Sequence, residues 1–160
     1  MARSDMFLKI EGQKQGPIKG DSRDPDHTDE IDVVSWSWGM QSHTSLQSGL
    51  ATSKSSVDEL KITKLADKAS TGIMSSLRTN EIIKQATLTV RKAGENPLEY
   101  LKITLKQARI VAYSTSAESA DSGPEVREEV SFAFQQLTVE YTPQGADGLA
   151  RGSSTFETEV

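Results

Sequence analysis

LEYLKITLKQARIVAYSTS, residues 98–116, alternates like a β-strand and then changes phase partway along. Leu101, Ile103 and Leu105 are apolar at odd positions; after Lys106-Gln107 the apolar set moves to Ala108, Ile110 and Ala112. Successive strand side chains point to opposite faces, so a slip of one residue sends every later side chain to the other face. VREEVSFAFQQLTVEYTP, residues 126–143, does the same: Val130, Phe132 and Phe134 give way, after Gln135-Gln136, to Leu137, Val139 and Tyr141. Two long strands that both switch faces midway imply bulges or sharp bends. Strands use such bends to cross between the sides of a barrel or an orthogonal sandwich.

Working outward, most of the chain reads as further strands, at 6–12, 30–39, 57–65 and 81–97. DKASTGIMSSLRTN (67–80) is the one helical stretch: Asp67 can cap it, Ala69, Ile73 and Leu77 form an apolar stripe, Gly72 weakens it and Asn80 stops it. The expected fold is mainly β, an antiparallel barrel or split-barrel sandwich with one short flanking helix at about 67–79. A chain of 160 residues suits one domain. The expected division is a barrel over 1–148 and a flexible C-terminal tail over 149–160.

Two stretches ask for more than a core. SWSWG (35–39) holds both tryptophans of the chain two apart, so Trp36 and Trp38 share a strand face with Val34, while Val33, Ser35 and Ser37 share the other. The run that follows, MQSHTSLQSGLATSKSS (40–56), is polar and without period. Loops beyond about 12 residues are uncommon in compact domains and are usually functional or disordered.

Composition narrows the chemistry. There are no cysteines, which excludes disulfide scaffolds, thiol catalysis and thiolate metal sites. Eighteen basic against 23 acidic residues leave a net charge of -5 and no basic face for nucleic acid. The N-terminus lacks the apolar segment of a secretory signal, and no stretch approaches a membrane span. The two histidines, His27 and His43, fall in loops with no nucleophile arranged beside them, and read as solvated. Asp24, Asp26, Asp29 and Glu30 crowd around Pro25 and His27; without the spacing of a calcium loop they read as a solubilising or partner-facing loop rather than a metal site. No catalytic residue, metal ligand or cofactor-binding residue emerges. From the residues alone, the chain is a β-rich assembly subunit or binding module.

EIDVVSWSWGM (30–40) with the long loop after it, LKITKLADKAS (60–70), TLTVRKAGENPLEYLKITLK (87–106) and VEYTPQGADG (139–148) together resemble the Hcp family, the haemolysin-coregulated proteins of the type VI secretion tube. The resemblance is collinear from Met6 to Gly148. It implies a β-barrel like that of phage tail tubes, homohexameric rings, and stacking of rings into a hollow tube inside a contractile sheath. It further implies a VgrG-type spike at the tip, effector proteins carried in the lumen, and no enzymatic activity, cofactor, nucleic-acid partner or membrane insertion. The protein would be assembled in the cytoplasm and then secreted without a cleaved signal peptide. The loop and the strand before it are then expected at subunit or ring contacts, through Trp36, Trp38, Met40, Ser42, His43, Leu46 and Leu50. The polar strand faces become lumen candidates: Gln85, Thr87, Thr89, Arg91, Lys102, Thr104 and Lys106. Two other readings compete: a monomeric barrel binding a small apolar ligand against Trp36 and Trp38, and an enzyme built on His27 and the acidic loop.

Overall fold

The computed structural model describes residues 5–43, 55–92, 97–144 and 152–160. Its elements are β1 Met6–Gly12, β2 Gly16–Ile18, β3 Ile31–Asp32, β4 Ser35–Ser37, β5 Met40–Gln41, β6 Ser56–Val57, β7 Leu60–Leu65, α1 Ser70–Arg78, β8 Ile83–Arg91, β9 Glu99–Glu118, β10 Glu125–Tyr141 and β11 Ser154–Glu159. One antiparallel sheet runs β2-β1-β8-β9-β10-β7-β4, with β3 paired to β1 and β11 to β10. Residues 31–37 join its two flanks: β3 pairs β1, β4 pairs β7, Val33 N–H donates to Met6 and Val34 N–H to Thr63. The sheet thus curls into a split barrel.

The phase slips are present where the pattern placed them. In β9 the buried set passes from Ile103 and Leu105 to Ala108 and Ile110; in β10 it passes from Val130 and Phe132 to Leu137. Gln107 takes up the first slip with a φ of 51°, a left-handed conformation that a non-glycine residue rarely adopts. A second irregularity follows. Ile110 pairs Phe132 and Ala112 pairs Ser131, so Val111 is an extra, bulged residue, and its side chain is exposed. Beyond it Tyr113, rather than Ala112, packs on the core.

Leu8, Ile10, Leu88 and Ile103 from one wall meet Leu60, Ile62, Val130 and Phe132 from the other, with Ile73 of α1 among them. Each such side chain stabilises the fold by roughly 1.5–3 kcal/mol on burial, so the barrel interior is a packed core. Glycine at 72 lets α1 lie close to β2, because a Cβ there would press on Ile18 and Gln15 at 3.1 Å.

Four expectations need correction. The helix starts at Ser70, not 67; Asp67 still accepts from Ala69 N–H at 2.9 Å, but its carboxylate is also held by Lys64 at 2.9 Å, and that keeps it outside the helix. Asn80 does end the helix, with a φ of 55°. The strand expected over 30–39 is two strands, because the chain bends at Val34: Val33 is buried and Val34 exposed, the reverse of the even-numbered face. The stretch 57–65 is likewise interrupted, between β6 and β7. Finally, residues 154–159 of the expected flexible tail form β11, because Phe156 and Thr158 fall in register with Val139 and Leu137 on the core-facing side of β10.

Candidate functional site

Strand pairing assembles a polar surface on the side of the sheet away from the core. One row crosses five strands as Lys9, Thr87, Thr104, Thr138 and Glu157; the next runs Glu11, Gln85, Lys106, Gln136 and Glu159. A third row runs Phe7, Thr89, Lys102, Glu140 and Thr155. Core residues alternate with these along β1, β8, β9 and β10, so the polar face is a direct consequence of the two-residue period. Lys9, Lys102 and Lys106 lie on β1 and β9, with Glu11 beside Lys9, and Glu140, Glu157 and Glu159 lie on β10 and β11.

Of the seven residues expected on such a face, Gln85, Thr87, Lys102, Thr104 and Lys106 lie on its open part. Thr89 and Arg91 do not: the loop over residues 19–30 folds across that end and buries them. Arg91 Nη1 donates to Asp24 Oδ1 at 3.0 Å, its Nη2 donates to Asp24 Oδ2, and its Nε donates to Asp5 Oδ1 at 3.2 Å. The guanidinium sits 4.9 Å from the centroid of the buried Phe7 ring. His27 stacks on Phe7 at 4.3 Å and contacts Glu30 through Nδ1 at 2.9 Å and Glu99 through Nε2 at 2.6 Å. The solvated histidine expected at 27 is therefore a buried clamp, and the acidic loop spends Asp24 on the chain's own arginine. The hydrogen bond from Arg91 holds the Asp24 carboxyl below its ordinary value, and the same bond raises Arg91. Among the described residues no His, Asp and Glu group has the arrangement to hold a metal.

The two indoles share one fate. Trp36 and Trp38 are both half-buried and both pack against the core, and Trp38 Nε1 is buried with no hydrogen-bond partner among the described residues. An open cleft of about 530 Å³ beside Trp38 is lined by Ser37, Gly39, Val57, Asp58, Glu59 and Lys61, mostly polar groups that suit a small apolar ligand poorly. The long polar run leaves and returns as a ribbon, Met40 paired with Val57 and Gln41 with Ser56. Met40 is exposed, as are Ser42 and His43 just beyond the end of β5, and Leu46 and Leu50 lie outside the described residues.

One polar group escaped sequence reasoning. Lys64 is wholly buried and paired in register with buried Glu128; Glu128 also accepts hydrogen bonds from Tyr113 and, at 2.8 Å, from Ser70 Oγ at the start of α1. Burial pushes the Glu128 carboxyl up, but the bonds from Lys64, Tyr113 and Ser70 outweigh it and hold it below its ordinary value. The signal was present: Lys64 continues the inward parity of Leu60 and Ile62, and Glu128 that of Val130 and Phe132.

A curled antiparallel sheet with one helix and a five-stranded polar face defines a mainly β, split-barrel protein. Residues 7–141 match the family model described as type VI secretion system effector, Hcp. Protein hcp1 of Pseudomonas aeruginosa is 40% identical over 151 residues, covering 92% of this chain and 89% of that protein. Among solved structures, Hcp1 from Salmonella typhimurium is 32% identical with a TM-score of 0.77, over 99% of this chain and 95% of that one. A type VI secretion system effector from Yersinia pestis is 29% identical with a TM-score of 0.78, over 98% of this chain and 100% of that one. The chain belongs to the Hcp family of type VI secretion proteins.

Proposed function

We propose that the chain is a structural subunit of a type VI secretion tube. Six copies close a ring, rings stack into a hollow tube, and the open polar face, with Gln85, Thr87, Lys102, Thr104 and Lys106, lines the lumen. The family match over residues 7–141 carries this reading. A polar five-stranded surface opposite the core supports it, since such a surface suits a wet channel through which folded effectors pass. Assembly takes place in the cytoplasm within a contractile sheath and beneath a VgrG-type spike, and export uses no cleaved signal. The role is structural, with no catalytic residue in it. The ribbon of β5 and β6 projects the long polar run toward a neighbouring subunit or ring, with Trp36, Trp38, Met40, Ser42, His43, Leu46 and Leu50 at or near that contact.

Light scattering on a size-exclusion peak, followed by negative-stain imaging, tests this. Six copies of the 17.4 kDa chain give 104.4 kDa. That mass with six-fold rings and a central hole is the expected result. A monomer at every concentration would overturn the ring.

A further inference from the structure

His27 is buried, and each nitrogen of its ring meets a carboxylate: Nδ1 lies 2.9 Å from Glu30 Oε2 and Nε2 lies 2.6 Å from Glu99 Oε1. A neutral imidazole has one N–H to donate, and its other nitrogen presents a lone pair. Between two ionised carboxylates, a neutral ring would therefore set that lone pair against an anionic oxygen. Both contacts are hydrogen bonds only when the three groups share one further proton, held as an imidazolium or as a carboxylic acid that donates to the ring. The closed arrangement is thus tied to a proton.

The Glu99 contact matters because of what it spans. Glu30 lies on the same loop as His27, whereas Glu99 is the first residue of β9, 72 residues away. The base of the loop is fixed independently. Ile18 and Ile31 are buried on either side of it, the N–H groups of Gly20 and Ser22 donate to Asp29 and Glu30, and a Cβ at Gly20 would lie 2.6 Å from Glu30 O. The loop reaches the sheet through the His27 stack on Phe7, the Asp24–Arg91 pair and the Glu99 contact. The charged groups around the ring are Asp24 and Glu30 on its own loop, Glu99 on β9 with Lys102 4.0 Å beyond it, and Arg91 on β8 with Asp5 at the start of β1. Asp24 is held below its ordinary value and Arg91 above, so that pair stays charged through neutral pH.

We propose that His27 is a proton-dependent latch: with the shared proton it ties the 19–30 loop to β9 through Glu99, and without it the loop releases that end of the polar face. The covered row of Phe7, Thr89 and Lys102 then opens from its β1 side, and more of the face is accessible as pH rises. The latch belongs to the single subunit and operates whether or not rings form.

Hydrogen-exchange mass spectrometry of the loop from about pH 6 to 9, corrected for the intrinsic pH dependence of amide exchange, tests it. Protection of the wild-type loop should fall by up to about tenfold per pH unit, the slope of one released proton, while a core peptide from β8 keeps its protection. Glu99→Gln supplies an amide N–H that donates to the neutral ring without the extra proton, so its loop should stay protected with no slope. His27→Gln should lose the slope and most of the protection at every pH. Wild-type protection that is constant or rises with pH overturns the latch, as does a Glu99→Gln loop with the wild-type slope. Should Glu99→Gln fail to fold, His27→Gln decides: a slope that survives loss of the imidazole overturns the assignment.

Discussion

Lys64 meets Glu128 across the β7–β10 ladder with essentially no exposure on either side chain. Such a pair gains little over apolar residues, but losing one partner strands a buried charge, at a cost of about 3–5 kcal/mol. Glu128→Ala should lower unfolding free energy by about that much, read from denaturant titration, and replacing both residues by Leu and Met should cost less than the single change. The pH dependence follows from the same groups. Asp24, lowered by the Arg91 hydrogen bond, and Glu81 and Glu128, lowered by hydrogen bonds that overcome burial, all bind protons less readily folded than unfolded. Their contribution is present above the unfolded carboxylate range and is lost as pH falls through the lower folded values. Asp32, raised by burial and by Asp67, Asp21 and Asp24, acts in the opposite sense. The stability gap between wild type and Glu128→Gln should therefore be wide at neutral pH and narrow as pH falls below the ordinary carboxylate range and through the folded value. Tyr113, pushed up to about 12 by burial and Glu128, adds stability below its ordinary value of 10.0 that is lost as pH rises through the folded value.

At the scale of elements, the two longest strands depend on Gln107. Its positive φ is the hinge on which β9 moves its apolar set from one face to the other, and it costs a non-glycine residue roughly 1–2 kcal/mol. Gln107→Gly should be neutral or stabilising by up to about 1 kcal/mol, because relief of the strain competes with added chain entropy. Gln107→Val should destabilise by at least about 1 kcal/mol, since a β-branched side chain tolerates that conformation least. Urea midpoints compare the three proteins. Glu81 has a similar tying role at the other end of the sheet: its carboxylate accepts from the Lys14 and Gln15 N–H groups, both at 2.9 Å, and so fixes the β1–β2 turn beside the end of α1.

For the whole molecule, the prediction is that the barrel folds without the run over 44–53. The β5–β6 ribbon is closed by the Met40–Val57 and Gln41–Ser56 pairs, and the main sheet is built from strands outside residues 40–57. Deleting 44–53 should leave the melting temperature within a few degrees of wild type, a change of about 1 kcal/mol or less for a domain of this size. The same deletion should weaken subunit or ring contacts in light scattering. A deletion variant that assembles as well as wild type would remove the run from the contact.

What the sequence determined by itself was whatever follows from local periodicity. The face switches after Lys106-Gln107 and Gln135-Gln136, the helix stripe of Ala69, Ile73 and Leu77, and the helix stop at Asn80 each need only a two-residue or 3.6-residue period and a turn residue. The open polar positions on β8 and β9 followed from the same parity. Tertiary structure decided the rest, because it depends on which distant groups meet. His27 and Asp24 look like loop residues until Phe7 and Arg91 stand beneath them, 20 and 67 residues away in the chain. Lys64 and Glu128, 64 residues apart, can be buried because they pair with each other, with Asp67 also on Lys64 and Tyr113 and Ser70 on Glu128. Ser154–Glu159 has no period strong enough to announce a strand, and becomes one because β10 offers it a free ladder and a half-covered apolar row. Local pattern fixes which way a side chain points; burial of a charge or pairing of an edge is a property of two segments at once, and only the folded sheet brings them together.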